Sequence, residues 1–242
     1  MIRLALLLAA GAAAAPAPAP APKPARTISF TTADGWTIAA LYRAPRRIMP
    51  VVILVHGVGS SKGEWDAFAR RLEEQGVGSL ALDLRGHKDS TKGPKGVRTY
   101  ADFDSTGEWP RAEADLDAAA AWLTRHDIPR ARIAFGGASI GANLASIAAA
   151  KRPPTPFLIL LSPGPDYRGV KPLLRPGLKT LAGASPGDGY SHQTLGPISA
   201  VKGAAIFEAP SGHGVQMFED KATLDKVVAW VVATASQKLP GK

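Results

Sequence analysis

A serine stands between two glycines in Gly137-Ala138-Ser139-Ile140-Gly141, behind the apolar run Ile133-Ala134-Phe135 and ahead of a stretch of helix formers at 142–150. At the join of a strand and a helix, Gly-x-Ser-x-Gly is the context of a nucleophile elbow, where a sharp, strained turn presents the serine hydroxyl. The glycines matter sterically, because neighbouring Cβ atoms would collide in such a turn. The chemistry this implies is nucleophilic attack by Ser139 on an acyl carbon. The chain holds 25 glycines, so the pentapeptide also suits a plain strand-to-helix turn with Ser139 as an ordinary N-cap. Residues at the other strand ends must decide.

A serine nucleophile needs a base, an acid that orients the base, and N–H groups aimed at the developing oxyanion. His213, in Ser211-Gly212-His213-Gly214, lies just beyond the apolar run 204–208, and its glycine neighbours expose the imidazole. It is the candidate base. Two acids fall between Ser139 and His213 after predicted strands. Asp188 lies in the turn-forming stretch Pro186-Gly187-Asp188-Gly189, and Asp166 in Pro163-Gly164-Pro165-Asp166; Asp166 also reads as a turn aspartate that caps its own loop. The oxyanion donors are the backbone N–H groups of Val58, in His56-Gly57-Val58-Gly59-Ser60, and of Ile140, the residue after the nucleophile. His56 reads as shaping its loop, while His126 and His192 fall on helical segments. No metal or cofactor is expected.

These residues need a frame. Runs 27–32 and 36–42, joined by Ala33-Asp34-Gly35, predict a hairpin. Val51-Val52-Ile53-Leu54-Val55 is β-branched throughout but for one leucine, as in a strand buried on both faces of a parallel sheet. Beyond it the pattern alternates: helix 63–74, strand 79–82, helix 111–124, strand 132–135, the helix after Ser139, strand 157–161, a weaker strand 178–182, strand 204–208 and helix 218–235. Strands alternating with helices of this length predict an α/β fold with a doubly wound, mostly parallel sheet. Ligands then bind at the carboxyl ends of the strands, where the candidate residues stand. Residues 162–177 leave no room for a large cap, so an open site covered by short loops is expected.

Met1-Ile2-Arg3 and the apolar residues 4–15 read as a secretory signal peptide, and the Ala-Pro tract 16–24 as a stiff spacer. Export to the periplasm or exterior is therefore expected, with one domain over 26–242. There is no cysteine, which rules out disulfides and a cysteine-borne lipid anchor; no stable membrane anchor is expected. The net charge of +9 comes from scattered Lys and Arg without an aromatic-interleaved stripe, so nucleic acid is not an expected partner. Nothing in the sequence specifies the oligomeric state.

After strand 79–82 stands Asp83-Leu84-Arg85-Gly86-His87-Lys88-Asp89-Ser90. Here the chain resembles the α/β-hydrolase superfamily, whose members often carry Asp-x-Arg-Gly-His-Gly-x-Ser in this place; Lys88 stands where a glycine is usual. The resemblance implies structural roles for Asp83, Arg85 and His87. The order Ser139, Asp188, His213 is that of the superfamily, and the loop around Asp188 is more like its usual acid loop, with Asp166 the alternative acid. The stretch also resembles dienelactone-hydrolase-like members, which use Cys at the elbow where this chain has Ser139. Relatives that are dehalogenases or epoxide hydrolases use Asp there and are excluded. The implied activity is cleavage of a small or polymer-borne carboxylic ester; a peptidase or amidase of the same fold, and a non-catalytic envelope binding protein, are the alternatives.

Overall fold

A computed structural model of the chain describes residues 25–105 and 107–237; the signal peptide and spacer read from the sequence lie outside them. The chain folds as an eight-stranded sheet in the order β1-β2-β4-β3-β7-β8-β9-β10, with a separate two-residue ribbon formed by β5 (Lys92–Gly93) and β6 (Gly96–Val97). Strands β1 (Arg26–Thr31) and β2 (Thr37–Arg43) form the expected antiparallel hairpin, and β2 pairs antiparallel with β4 (Gly78–Leu82). All further pairings in this sheet, among β4, β3 (Val51–Val55), β7 (Ile133–Ala138), β8 (Leu158–Leu161), β9 (Thr180–Ala184) and β10 (Ala204–Glu208), are parallel. The hairpin turns on Gly35 at φ 89°, a backbone conformation open to glycine at little steric cost.

Side-chain alternation along the buried strands feeds two cores. Val51, Ile53 and Val55 of β3 join one cluster with Leu116 and Leu144; Val52 and Leu54 join the other with Phe68 and Val227. Helices α3 (Glu113–Arg125), α4 (Ile140–Lys151) and α5 (Gly189–Ser199) thus supply the first core, and α1 (Asp66–Glu74) and α6 (Lys221–Ala235) the second. A strand with neighbours on both faces has no polar side to present, which is why β3 reads as an unbroken apolar run.

Several boundaries differ from the sequence reading for local reasons. The helix expected over 63–74 divides into a 3₁₀ turn, Lys62–Trp65, and α1. Strand β7 runs on to Ala138, placing the elbow's first residues within the sheet. The last helix starts at Lys221, because the Asp220 side chain caps it by accepting from Thr223 N–H at 2.9 Å. The short α2 (Glu108–Arg111) lies outside the expected helices, and α5 gives bounds to the helical segment expected around His192. Residues 162–179 contain no helix; a single bridge between Tyr167 and Val170 folds them back. No helix of the described residues is long and apolar enough to cross a membrane.

Candidate active site

Ser139 sits between β7 and α4 with φ 56° and ψ −127°, a region that side-chain-bearing residues rarely adopt. The turn is closed by Ser139 N–H donating to Leu161 O at 2.9 Å and by Ser139 O accepting from Ala142 N–H, also at 2.9 Å. A Cβ at Gly137 would strike the Gly141 carbonyl, and one at Gly141 the carbonyls of Val55 and His56. Both glycines are therefore required by the close approach of α4 to the sheet. Ser139 itself makes no side-chain cap bond to its helix, so the plain N-cap alternative does not describe it.

His213 lies on the loop after β10, in front of a 3₁₀ turn, Gly214–Glu219. Its Nδ1 is 2.6 Å from Asp188 Oδ2, and Gly214 N–H donates to Ser162 Oγ at 2.8 Å, tying the histidine loop to the end of β8. Asp188 is the N-cap residue of α5. Burial alone would raise its carboxyl, but hydrogen bonds from Ser191, His213 and Ser162 hold it below the ordinary carboxylate range. Asp166 is placed elsewhere: its Oδ1 accepts from Gly169 N–H at 2.7 Å and its carbonyl from the Tyr190 hydroxyl. It closes its own turn.

Tyr167 was not anticipated. Its hydroxyl donates to Ser162 O at 3.2 Å, lies 2.9 Å from Ser191 Oγ and faces the Ser139 hydroxyl, and burial pushes the phenol up so that it stays protonated. Its ring meets that of His213 edge-on, centroids 6.3 Å apart. Tyr167, Ser162 and Ser191 form a polar collar around the Asp188 carboxylate.

On the opposite side, Gly57 abuts Ser139, since a Cβ there would lie 3.2 Å from Ser139 Cβ. His56 Nδ1–H donates to Gly57 O at 2.6 Å, and its Nε2 accepts from Leu84 N–H at 2.9 Å. Burial and the neighbouring His87 push the His56 imidazole down to about 3, so it stays neutral. His87 accepts from Gly59 N–H through Nε2 at 3.2 Å, donates from Nδ1 to Arg85 O at 2.9 Å and stacks on Tyr100. Lys88 takes up φ 42° where the resembled stretch usually has glycine. Arg85 is buried and joins Asp115 of α3 (2.8 Å) to Asp34 of the hairpin turn (2.7 Å), while Asp83 receives the Lys62 ammonium at 2.6 Å. His126 and His192 lie outside this cluster, with His126 bonded to Trp122 O and His192 to Glu208.

A cavity of about 570 Å³ opens over Ser139 and His213 and is lined also by Val58, Glu64, Val215 and Phe218. Ile140 opens α4, so its N–H belongs to the first helical turn, whose donors lack intrahelical partners. Among the described residues no group of three or more His, Cys, Asp or Glu is arranged to hold a metal ion.

Fold and site together define an α/β hydrolase. The chain belongs to the family described as serine aminopeptidase, S33, whose model matches residues 46–196. Among curated proteins, none matches the sequence. Solved structures share the fold at low identity. A dienelactone hydrolase from Anabaena variabilis is 20% identical with a TM-score of 0.63, over 88% of this chain and 96% of that one. A predicted CIB-like hydrolase from Thermoplasma acidophilum is 15% identical with a TM-score of 0.64, over 87% and 100%. The thermostable carboxylesterase EstE1, cloned from a metagenomic library, is 16% identical with a TM-score of 0.66, over 89% and 90%.

Proposed function

We propose that the protein is a serine hydrolase that cleaves carboxylic esters through an acyl-enzyme. The observation that carries this reading is the 2.6 Å contact of His213 Nδ1 with Asp188 Oδ2 at the mouth of the cavity into which Ser139 opens. With Asp188 holding the Nδ1 proton, His213 Nε2 is left as the base that removes the Ser139 proton. The hydroxyl oxygen attacks the ester carbonyl carbon, and the N–H groups of Val58 and Ile140 receive the oxyanion. His213 returns the proton to the departing alkoxide. Water, deprotonated by the same imidazole, then releases the acid and restores Ser139. We place the mature protein outside the cytoplasm, on the strength of the basic and apolar segment 1–15.

The family description favours one second reading, a peptidase or amidase on the same triad. Turnover of short p-nitrophenyl esters beside aminoacyl-nitroanilides separates them. Ester turnover with at most trace anilide turnover supports the esterase; the reverse supports the peptidase; labelling of Ser139 by neither substrate class nor a fluorophosphonate would leave a binding protein.

A further inference from the structure

We propose that Glu64 is a positioning residue that holds the oxyanion loop in its working shape; this rests on the reading of Ser139 as nucleophile and Val58 N–H as oxyanion donor. Four N–H groups lie in the loop Gly57–Ser60. That of Gly57 goes to Glu64 Oε1 at 3.3 Å, that of Gly59 to His87 Nε2 at 3.2 Å and that of Ser60 to Gly57 O at 3.2 Å. Among the described residues, Val58 N–H alone of the four finds no acceptor. The loop is built so that one donor stays available.

Glu64 is the side chain that closes this arrangement. Its Oε1 takes the first residue of the loop and its Oε2 the hydroxyl of the last, Ser60. It joins both ends of the loop from a 3₁₀ turn that is itself anchored, by the fully buried Trp65 on one side and by Lys62 bound to Asp83 on the other. Receiving two donors at once requires a group with acceptors on both oxygens, which an ionised carboxylate is. The carboxylate also lines the cavity over Ser139 and feels the charge of His213. Burial raises its carboxyl above the ordinary range, although Ser60, Gly57 and His213 pull it back towards the ionised form. Without Glu64, the Gly57 N–H and the Ser60 hydroxyl lose their acceptor, and the loop is left to the bonds of His56 and Ser60 N–H on Gly57 O and of Gly59 N–H on His87. With Gly57 and Gly59 both flexible, the Val58 N–H is then held less precisely towards the oxyanion.

The test uses the whole purified protein with Glu64→Ala, Glu64→Gln and Ser60→Ala. Measured are the rate at which a fluorophosphonate labels Ser139, kcat and KM on p-nitrophenyl acetate, and Tm. Glu64→Ala is expected to lower kcat and the labelling rate by ~10-fold to 10²-fold, with KM within about threefold and Tm within a few degrees of the parent. Glu64→Gln keeps one acceptor, so it should recover part of the loss; Ser60→Ala should lose only a few-fold. If Glu64→Ala folds poorly, the Gln and Ser60 variants decide, and parental rates in both overturn the proposal. Loss confined to the fraction of protein that labels, at an unchanged rate, also overturns it, because that is the mark of a merely structural residue. Parental rates in Glu64→Ala beside a dead Ser139→Ala overturn the role of Glu64 and leave the nucleophile standing. Failure of the parent to label overturns both.

Discussion

The backbone at Ser139 pays about 1–3 kcal/mol for its unusual φ and ψ, offset locally by its bond to Leu161 O and by the α4 turn that begins on its carbonyl. What makes Ser139 and His213 legible in the sequence is this backbone demand, since glycines at 137, 141, 212 and 214 record it directly. The acid was less legible, because Asp166 and Asp188 both follow strands in Pro- and Gly-rich turns. Only the three-dimensional course of the chain brings one of them to His213. Asp188→Asn is expected to lower kcat by roughly 10³–10⁴-fold, and Asp166→Asn to leave it within a few-fold; steady-state kinetics on one ester compares them. Glu64, Ser162, Tyr167 and Ser191 were not legible at all, since tertiary contacts such as Tyr167 with Ser191 and Ser162 with Gly214 create their roles. His56 makes a separate prediction about pH. Its folded value of about 3 lies below the ordinary 6.5, so between them the unfolded chain binds the extra proton. The stability due to neutral His56 is thus complete above about 6.5 and declines as pH falls towards 3, by up to about 1.4 kcal/mol per pH unit. Urea unfolding of the parent and His56→Asn should show a gap in unfolding free energy that narrows from pH 7 to pH 4.5; a constant gap contradicts it.

The inner β-strands are legible in the sequence because burial on both faces leaves an unbroken apolar run, as in β3. Helix α5, legible only as a helical segment around His192, has no such pattern. Gly189, Gly196 and Pro197 make it a poor helix by propensity, and it forms by burying Leu195 and Ile198 in the core shared with α3 and α4. Its first turn matters to the site, because Asp188 stands at its N-terminus and Ser191 bonds the Asp188 carboxylate. The elements around the site are tied by Arg85, whose guanidinium links the β1–β2 turn, the loop after β4 and α3 through Asp34 and Asp115. Arg85 is 1% exposed and Asp115 is fully buried, so Arg85→Met would strand a charge in the core. A loss of about 3–5 kcal/mol in denaturant unfolding is expected; a loss under about 1 kcal/mol would show that the network is not structural.

At the scale of the whole molecule, an α/β-hydrolase frame of eight strands brings loops from the ends of β3, β7 and β10 around one cavity, with the loop after β9 reaching it through Asp188 on His213. The molecule carries a net charge of +9, yet the cavity is lined by Glu64 and Glu219 and by no lysine or arginine. Such a wall disfavours anionic substrates. Among esters matched in size, neutral or cationic acyl chains should exceed carboxylate-bearing ones in kcat/KM by about tenfold or more, and a preference for the anionic chain would contradict this. Whether Ser139 is the nucleophile is decided by treating parent and Ser139→Ala with a fluorophosphonate and mapping the adduct by mass spectrometry. One adduct is expected, on Ser139 of the parent, and none on the variant; equal labelling of Ser139→Ala, or an adduct on another residue, would contradict it.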